Sequence, residues 1–282
     1  MSAGGYAIRE MVPIDIAAAH GLSQAVGWPH RAEDWRLLHR IGHGIVAAEG
    51  DGRVVGTGLW WPYGPAAGSL GMVIVAGDRQ GAGIGRRLMD TILAAAGGRS
   101  MLLNATAAGL PLYEKLGFAA LGRVGQHQGV RGAVPPVPEG AGTVRPLRPD
   151  EAGLPVALDD RAMGAPRHAL MAALLAAGEA AVVEREGRVV GCALARRFGR
   201  GHLVGPVMAA DAPAAKALIA HFLGRADGFW RLDLSDAAGE LAAWASEAGL
   251  VSVGGGVVMV RGTPLAPDPV IRHWTIAAQA LG

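Results

Sequence analysis

The stretch GMVIVAGDRQGAGIGRRL, residues 71–88, decides how the chain is read. The apolar run Gly71–Val75 reads as a strand, which passes into a loop with glycines at 81, 83 and 85. The loop opens a helix over Arg86–Ala96, with Leu88, Ile92 and Leu93 on one side. Glycines at such spacing let backbone N–H groups approach a ligand closely, and a helix start carries partial positive charge, so the natural guest is a pyrophosphate. Arg86 and Arg87 add positive charge nearby, but they stand where a P-loop beginning at Gly81 needs Gly-Lys. A dinucleotide fingerprint beginning at Gly83 needs its third glycine where Leu88 stands, so that reading fails too.

Outward from the loop, Met101–Asn104 reads as a strand and Pro111–Leu116 as a helix closed by Gly117. Upstream, EGDGRVVG at residues 49–56 recurs as EREGRVVG at 184–191, an offset of 135. Each copy is flanked by apolar residues and reads as strand, tight polar turn, strand. Ile8–Pro13 answers Val144–Pro149 at an offset of 136, and Leu116-Gly117-Phe118 answers Ala248-Gly249-Leu250 at 132. A nearly constant offset over three separated segments implies two copies of one plan: strand, helical region, hairpin, strand, helix, strand, helix, strand. Between them GVRGAVPPVPEGAGT, residues 129–143, has the composition of a linker. The expected divisions are a first domain over 1–128, the linker over 129–143, a second domain over 144–262 and a tail over 263–282, in which a helical-looking stretch holds Trp274.

Composition agrees with this count. A chain of 282 residues is long enough for about two domains of roughly 150 residues. Apolar residues make up 51% and charged ones 18%, and the mean hydropathy of +0.28 fits buried cores rather than disorder. The 44 glycines and 17 prolines show no Gly-X-Y period, so they mark turns and not a collagen helix. A net charge of +2, with no basic run interleaved with aromatics, argues against a nucleic-acid partner. The single Cys192 allows no internal disulfide and no multi-cysteine metal site, which fits a reducing compartment. The sequence offers no membrane-length apolar run and no signal-peptide core at its start, so the cytoplasm is expected.

With these motifs in hand, Gln80-Gly81-Ala82-Gly83-Ile84-Gly85 resembles the Q/R-x-x-G-x-G/A signature of the GNAT superfamily of acetyl-CoA-dependent N-acetyltransferases. Leu112-Tyr113-Glu114-Lys115-Leu116-Gly117-Phe118 resembles that family's second motif, L-Y-x-x-x-G-F. The resemblance covers residues 6–128. Residues 104–113 are also similar to a bacterial subgroup with a second, GNAT-like C-terminal domain. It implies an α/β fold, more exactly an α+β mixed sheet, of two tandem GNAT-like domains. Each would be a mostly antiparallel twisted sheet with flanking helices and a splayed central strand pair.

The resemblance also implies a site. Pantetheine would lie along Val73, Ile74 and Val75, and the pyrophosphate over Gln80, Gly81, Ala82, Gly83, Ile84, Gly85 and Arg86. An amine would attack the thioester directly, the oxyanion being met by a backbone N–H at the strand's end. Tyr113 would protonate the departing thiolate, although a core-facing tyrosine is the plain alternative. The family's commonest pattern has an Asn seven residues before the tyrosine, which is Thr106 here, so either Asn104 or Thr106 would bond the pantetheine amide. Glu33, His43 and His127 are candidate bases by segment alone. Trp28, Trp60, Trp61 and Tyr63 could wall an acceptor pocket or form a core edge.

The second copy keeps the plan without the site. Val207–Ala209 answers Val73–Val75 but runs directly into Asp211 and Pro213, a normal helix start, and Ala245 stands in the place of Tyr113. The expected protein is therefore an acyltransferase that moves acetyl from acetyl-CoA to a small amine with no metal, no nucleic acid and no membrane partner. A homodimer stays open, and the competing class is a non-catalytic acyl-CoA-binding or sensor protein.

Overall fold

The computed structural model describes residues 5–282. The first half runs β1 (Tyr6–Glu10), α1 (Ile16–Ala25), α2 (Ala32–Arg40), β2 (His43–Glu49), β3 (Val54–Tyr63), β4 (Ala67–Val75), α3 (Ile84–Ala96), β5 (Ser100–Ala105), α4 (Leu110–Lys115) and β6 (Ala119–Val130). The second repeats that order as β7 (Thr143–Pro146), α5 (Gly153–Met163), α6 (His168–Ala177), β8 (Gly178–Arg185), β9 (Arg188–Phe198), β10 (Gly201–Ala209), α7 (Ala212–Leu223), β11 (Phe229–Ser235), α8 (Gly239–Glu247) and β12 (Val251–Arg261). It then adds β13 (Arg272–Thr275). The mixed α/β class and the twofold plan follow the sequence reading, and both hairpins form where the repeated turn segment lies.

All strands join one sheet in the order β1-β2-β3-β4-β5-β12-β6-β11-β13-β10-β9-β8-β7. The two halves exchange their last strands. β12 pairs antiparallel with β5 of the first half, from Val257 opposite Ala105 to Arg261 opposite Met101. β6 pairs with β11 of the second half, from Phe229 opposite Val130 to Ser235 opposite Val124. β6 and β12 pair with each other at the centre, so neither half closes its sheet without the other.

The core follows from the faces this sheet offers. Leu88, Met89 and Ile92 of α3 are buried, and Met89 and Ile92 pack with Leu70, Leu103 and Phe118. On the opposite side one cluster runs through both halves: Trp35 and Leu38 of α2 and Trp61 of β3 share it with Leu158 of α5, Met171 of α6, Leu194 of β9 and Leu281 of the tail. Burial of this continuous apolar surface holds the halves together. Cys192 is fully buried and packs here as an apolar side chain.

The tail differs from its sequence reading. The stretch holding Trp274 forms not a helix but the strand β13, because β10 and β11 leave a gap whose backbone groups take a strand, and the alanines that follow at 277, 278 and 280 form a turn. Trp274 is buried there, with its indole N–H donating to the Ala209 carbonyl at 3.0 Å.

Candidate active site

β4 and β5 run parallel and in contact only over Ala67–Ser69 against Ser100–Leu102. Beyond that point β4 continues to Val75 and β5 to Ala105 without pairing, so the two strands splay. A bulge accompanies the divergence: Ile74 lies opposite Thr57 and Gly71 opposite Leu59, leaving Met72 and Val73 against the single Gly58. Met72 has a left-handed φ of 54°, and its carbonyl accepts a 2.8 Å hydrogen bond from Thr57 Oγ1. Such a bulge re-aims backbone groups and bends the strand. Val73 and Val75 are half-buried along this edge, and Ile74 turns into the core.

The glycine loop follows. Gln80, Gly81, Ala82 and Gly83 are exposed, Ile84 is buried and anchors the helix, and Gly85 is half-buried. Gly83 is the N-cap of α3 with φ 77°, and no side chain caps the helix. The first N–H groups of α3 therefore have no side-chain partner and face outward from a backbone with no Cβ at positions 81 and 83. Exposed Arg86 pairs with Asp90 at 3.0 Å, and Arg87 lies over the Tyr6 ring at 4.8 Å. The loop offers backbone N–H donors and two nearby cations to an anion.

At the far side of the gap, Tyr113 sits on α4, buried against Phe118 with ring centroids 6.0 Å apart. Its hydroxyl has no hydrogen-bond partner among the described residues, and burial pushes the phenol up to about 12. Asn104 projects from β5, where its Nδ2 donates to the Gln279 carbonyl at 2.7 Å and its buried Oδ1 has no partner among the described residues. Thr106 is exposed and meets the Gly109 N–H at 3.3 Å, at the start of α4.

The other sequence candidates disperse. Glu33 is exposed and pairs with Arg36 at 3.1 Å. His43 stacks on Trp60 with centroids 4.7 Å apart. His127 is buried on β6, opposite Leu232 of β11 and Ser252 of β12, away from the β4–β5 gap in strand order. Trp60, Trp61 and Tyr63 are core residues: the Trp61 indole donates to the Leu38 carbonyl at 2.9 Å, and the Tyr63 hydroxyl donates to the Leu281 carbonyl. Among the described residues no group of three or more His, Cys, Asp or Glu could hold a metal ion.

The family models that match are both described as an acetyltransferase (GNAT) domain, one over residues 41–120 and the other over 156–270. The chain belongs to the GNAT superfamily. It is a tandem acyltransferase of that family, with one matched domain in each half. YitH of Bacillus subtilis strain 168, an N-acetyltransferase that is itself uncharacterised, is 26% identical over 74% of this GNAT chain and 74% of its own. A Pyrococcus horikoshii protein provisionally classed as an acetyltransferase superposes with a TM-score of 0.81 at 20% identity, covering 100% of this chain and 98% of its own. A GCN5-related N-acetyltransferase from Sphaerobacter thermophilus gives 0.62 at 17% identity, over 93% and 96% of the two chains. At such identities the two structures share the fold.

What sequence reading of this GNAT tandem missed is the tail and the second half's contribution near the splay. The turn Ala277–Gly282 packs against β4 where β4 and β5 part: Ser69 Oγ donates to the Ala280 carbonyl at 3.1 Å. A side chain at Gly71 would collide with Ala280, whose Cα lies 3.1 Å from where a Cβ would be. Arg167 anchors the turn, donating to the Leu281 and Gly282 carbonyls at 2.9 and 2.7 Å while paired with buried Asp159. Arg196 of β9 also reaches the tail, through a 3.0 Å bond to the Ala277 carbonyl. A signal for Arg196 existed: at the repeat offset it stands where the first copy has Trp61, a polar residue at a core position.

Proposed function

We propose that the first half carries the chemistry, transferring acetyl from acetyl-CoA to a primary amine. The observation that carries this reading is the contrast between two gaps. The β4–β5 gap is open along Val73–Val75 and ends at an uncapped glycine loop. The equivalent β10–β11 gap is filled by β13, with Val207 opposite Thr275 and Ala209 opposite Arg272, and α7 beyond it is capped by Asp211, whose carboxylate accepts from Ala214 N. A pantetheine arm can add to the first gap as a strand does; in the second, the chain itself has taken that place.

In this reading the N–H groups from Gly81 to Arg86 receive the pyrophosphate, and the orphaned Asn104 Oδ1 accepts from a pantetheine amide. The neutral amine attacks the thioester carbon, forming the C–N bond; the carbonyl becomes an oxyanion opposite the bulged backbone of Met72 and Val73. Collapse breaks the C–S bond and releases CoA as thiolate, and the nitrogen loses its proton to solvent or to a base. Tyr113 stays a neutral phenol at physiological pH. It holds its proton more tightly than a thiol of pKa about 8.5, so it stabilises the thiolate by a hydrogen bond.

Calorimetric titration with acetyl-CoA, followed by a thiol-release assay over an amine panel, tests this function. Binding with turnover supports it, binding without any turnover leaves an acyl-CoA sensor, and no binding removes both. Tyr113→Phe lowers kcat by about ten- to a hundredfold, the scale of a hydrogen bond to a charged group, with the KM for acetyl-CoA unchanged. Equal turnover by that variant would take Tyr113 out of the mechanism.

A further inference from the structure

Three arginines are buried in the described chain, and they are not alike. Arg167 spends its donors on Asp159 and the tail carbonyls, and Arg231 pairs with Asp233 at 2.9 Å. Arg196 is 7% exposed, has no carboxylate partner among the described residues, and leaves its buried Nη1 without any hydrogen bond. Asp34 and Asp233 act on it only from beyond ion-pair distance; a buried guanidinium without a bonded carboxylate is costly, and an orphaned donor on it is the exception that needs an explanation.

Arg196 lines a cavity at the junction of the two halves, with His30, Asp34, Leu37 and Leu38 on one side and Phe198, Ala278 and Ala280 on the other. The guanidinium carbons of Arg196 and Arg231 each lie 5.2 Å from the Phe198 ring centre, and the His30 ring meets that ring edge-on at 5.3 Å. His30 Nδ1 is likewise buried and has no partner among the described residues. Burial and the Arg231 charge push the His30 imidazole down to about 4, so the ring is neutral at physiological pH. Asp34, the acid in the wall, is already committed: its carboxylate accepts from the Arg31 side chain at 2.8 Å and from Gly199 N at 3.0 Å. Two residues that each carry an unclaimed buried nitrogen, one of them cationic, thus line a space of about 10 Å³, enough for about one water-sized atom such as a single carboxylate oxygen. Ala280 is a shared wall, lining this cavity and touching Gly71 at the splay of β4 and β5.

We propose that this cavity receives a carboxylate of the acyl acceptor through Arg196, so that the acceptor is a small amino acid rather than an uncharged amine. The inference rests on the first half being the acetyl-transferring one. The second half then supplies the residue that selects the acceptor, and Arg196 acts in binding, not in the chemical step.

Thiol release is measured with acetyl-CoA and each standard amino acid against its own carboxamide, which keeps the amine and removes the charge. The best amino acid exceeds its carboxamide in kcat/KM by about ten- to a hundredfold, the scale of a buried charge-assisted hydrogen bond. Arg196→Met brings that ratio to within about threefold of one, the range left once the charge-assisted bond is gone. Arg196→Lys, which keeps a charge on a shorter reach, retains an intermediate ratio and serves if the Met variant does not fold. Calorimetry without acetyl-CoA reads the same site independently: the amino acid binds the wild type, its carboxamide and the Arg196→Met variant lose that signal, and Arg196→Lys weakens it. Turnover of amines with an acid-to-amide ratio near one, a ratio unchanged in both variants, or no binding or turnover of any amino acid overturns the inference. Turnover without discrimination leaves the acetyltransferase reading standing. Arg196-dependent binding of an amino acid without turnover leaves the carboxylate site standing and removes that reading.

Discussion

The two halves of this tandem were built on one plan and treat the same gap in opposite ways. Between β4 and β5 the backbone edge of Val73–Val75 stays unpaired; between β10 and β11 the corresponding edge pairs with β13. The helix beyond the first gap begins at left-handed Gly83 with no side-chain cap, and the helix beyond the second begins at Asp211 with one. An unpaired edge and uncapped N–H groups are costly in a finished fold unless a ligand takes them, so the half that keeps them is the half suited to a ligand. The second half resolves both within its own chain. At the repeat position of Trp61 it holds Arg196, facing the first half.

The comparison can be broken most forcefully at β13. Trp274→Ala removes a buried ring and its bond to Ala209, and thermal or denaturant unfolding shows a loss of about 3–5 kcal/mol, the usual cost of deleting a core aromatic. Acetyl-CoA stoichiometry in calorimetry stays at one per chain, because α7 still lacks a glycine loop; a second site appearing would mean that β13 alone keeps the second half silent. Gly83→Val tests the other side. The space around Gly83 is open, so the cost is the left-handed backbone, about 1–2 kcal/mol, and it falls on the ligand loop. Acetyl-CoA affinity drops about tenfold, and the melting temperature falls by a few degrees.

Acidification probes the junction. His30 has an unfolded pKa near 6.5 and a folded one of about 4, so its neutral form contributes stability that is present above about 6.5 and lost as pH falls towards 4. Arg231, Arg196, Asp34 and His20 are the charged or titratable groups around it. Between pH 7 and pH 5 the wild type loses about 1–2 kcal/mol more than His30→Gln does, read from urea midpoints at the two pH values. The smallest effect is Asp211→Ala, which removes the cap of α7 at a cost of about 1 kcal/mol and leaves acetyl-CoA binding untouched. If that variant lost acetyl-CoA affinity, the division of labour between the halves would be wrong.

Much of this was legible in the chain. The repeat at residues 49–56 and 184–191, the loop at 80–85 and the cap at Asp211 are local patterns, and each forms where its spacing placed it. The candidate site is legible to the same depth: Val73–Val75, the loop and Asn104 border one gap, because strand, loop and helix follow one another directly in sequence. Glu33, His43 and His127 were named by segment alone, and nothing short-range could say that His127 would sit opposite β11.

By itself, then, the sequence determined the elements, their order, the twofold plan and the inequality between a glycine loop and an acidic cap. Periodicity, turn chemistry and capping act over a few residues, so they can be read along the chain. Only the tertiary structure decided that β6 and β12 change places, that the tail segment Arg272–Thr275 becomes the strand filling the second gap, and that Arg196 lines a cavity beside His30. Those outcomes depend on which unpaired edge or apolar face lies nearby after folding, and the partners stand more than a hundred residues apart in the chain: β5 with β12, Arg196 with His30.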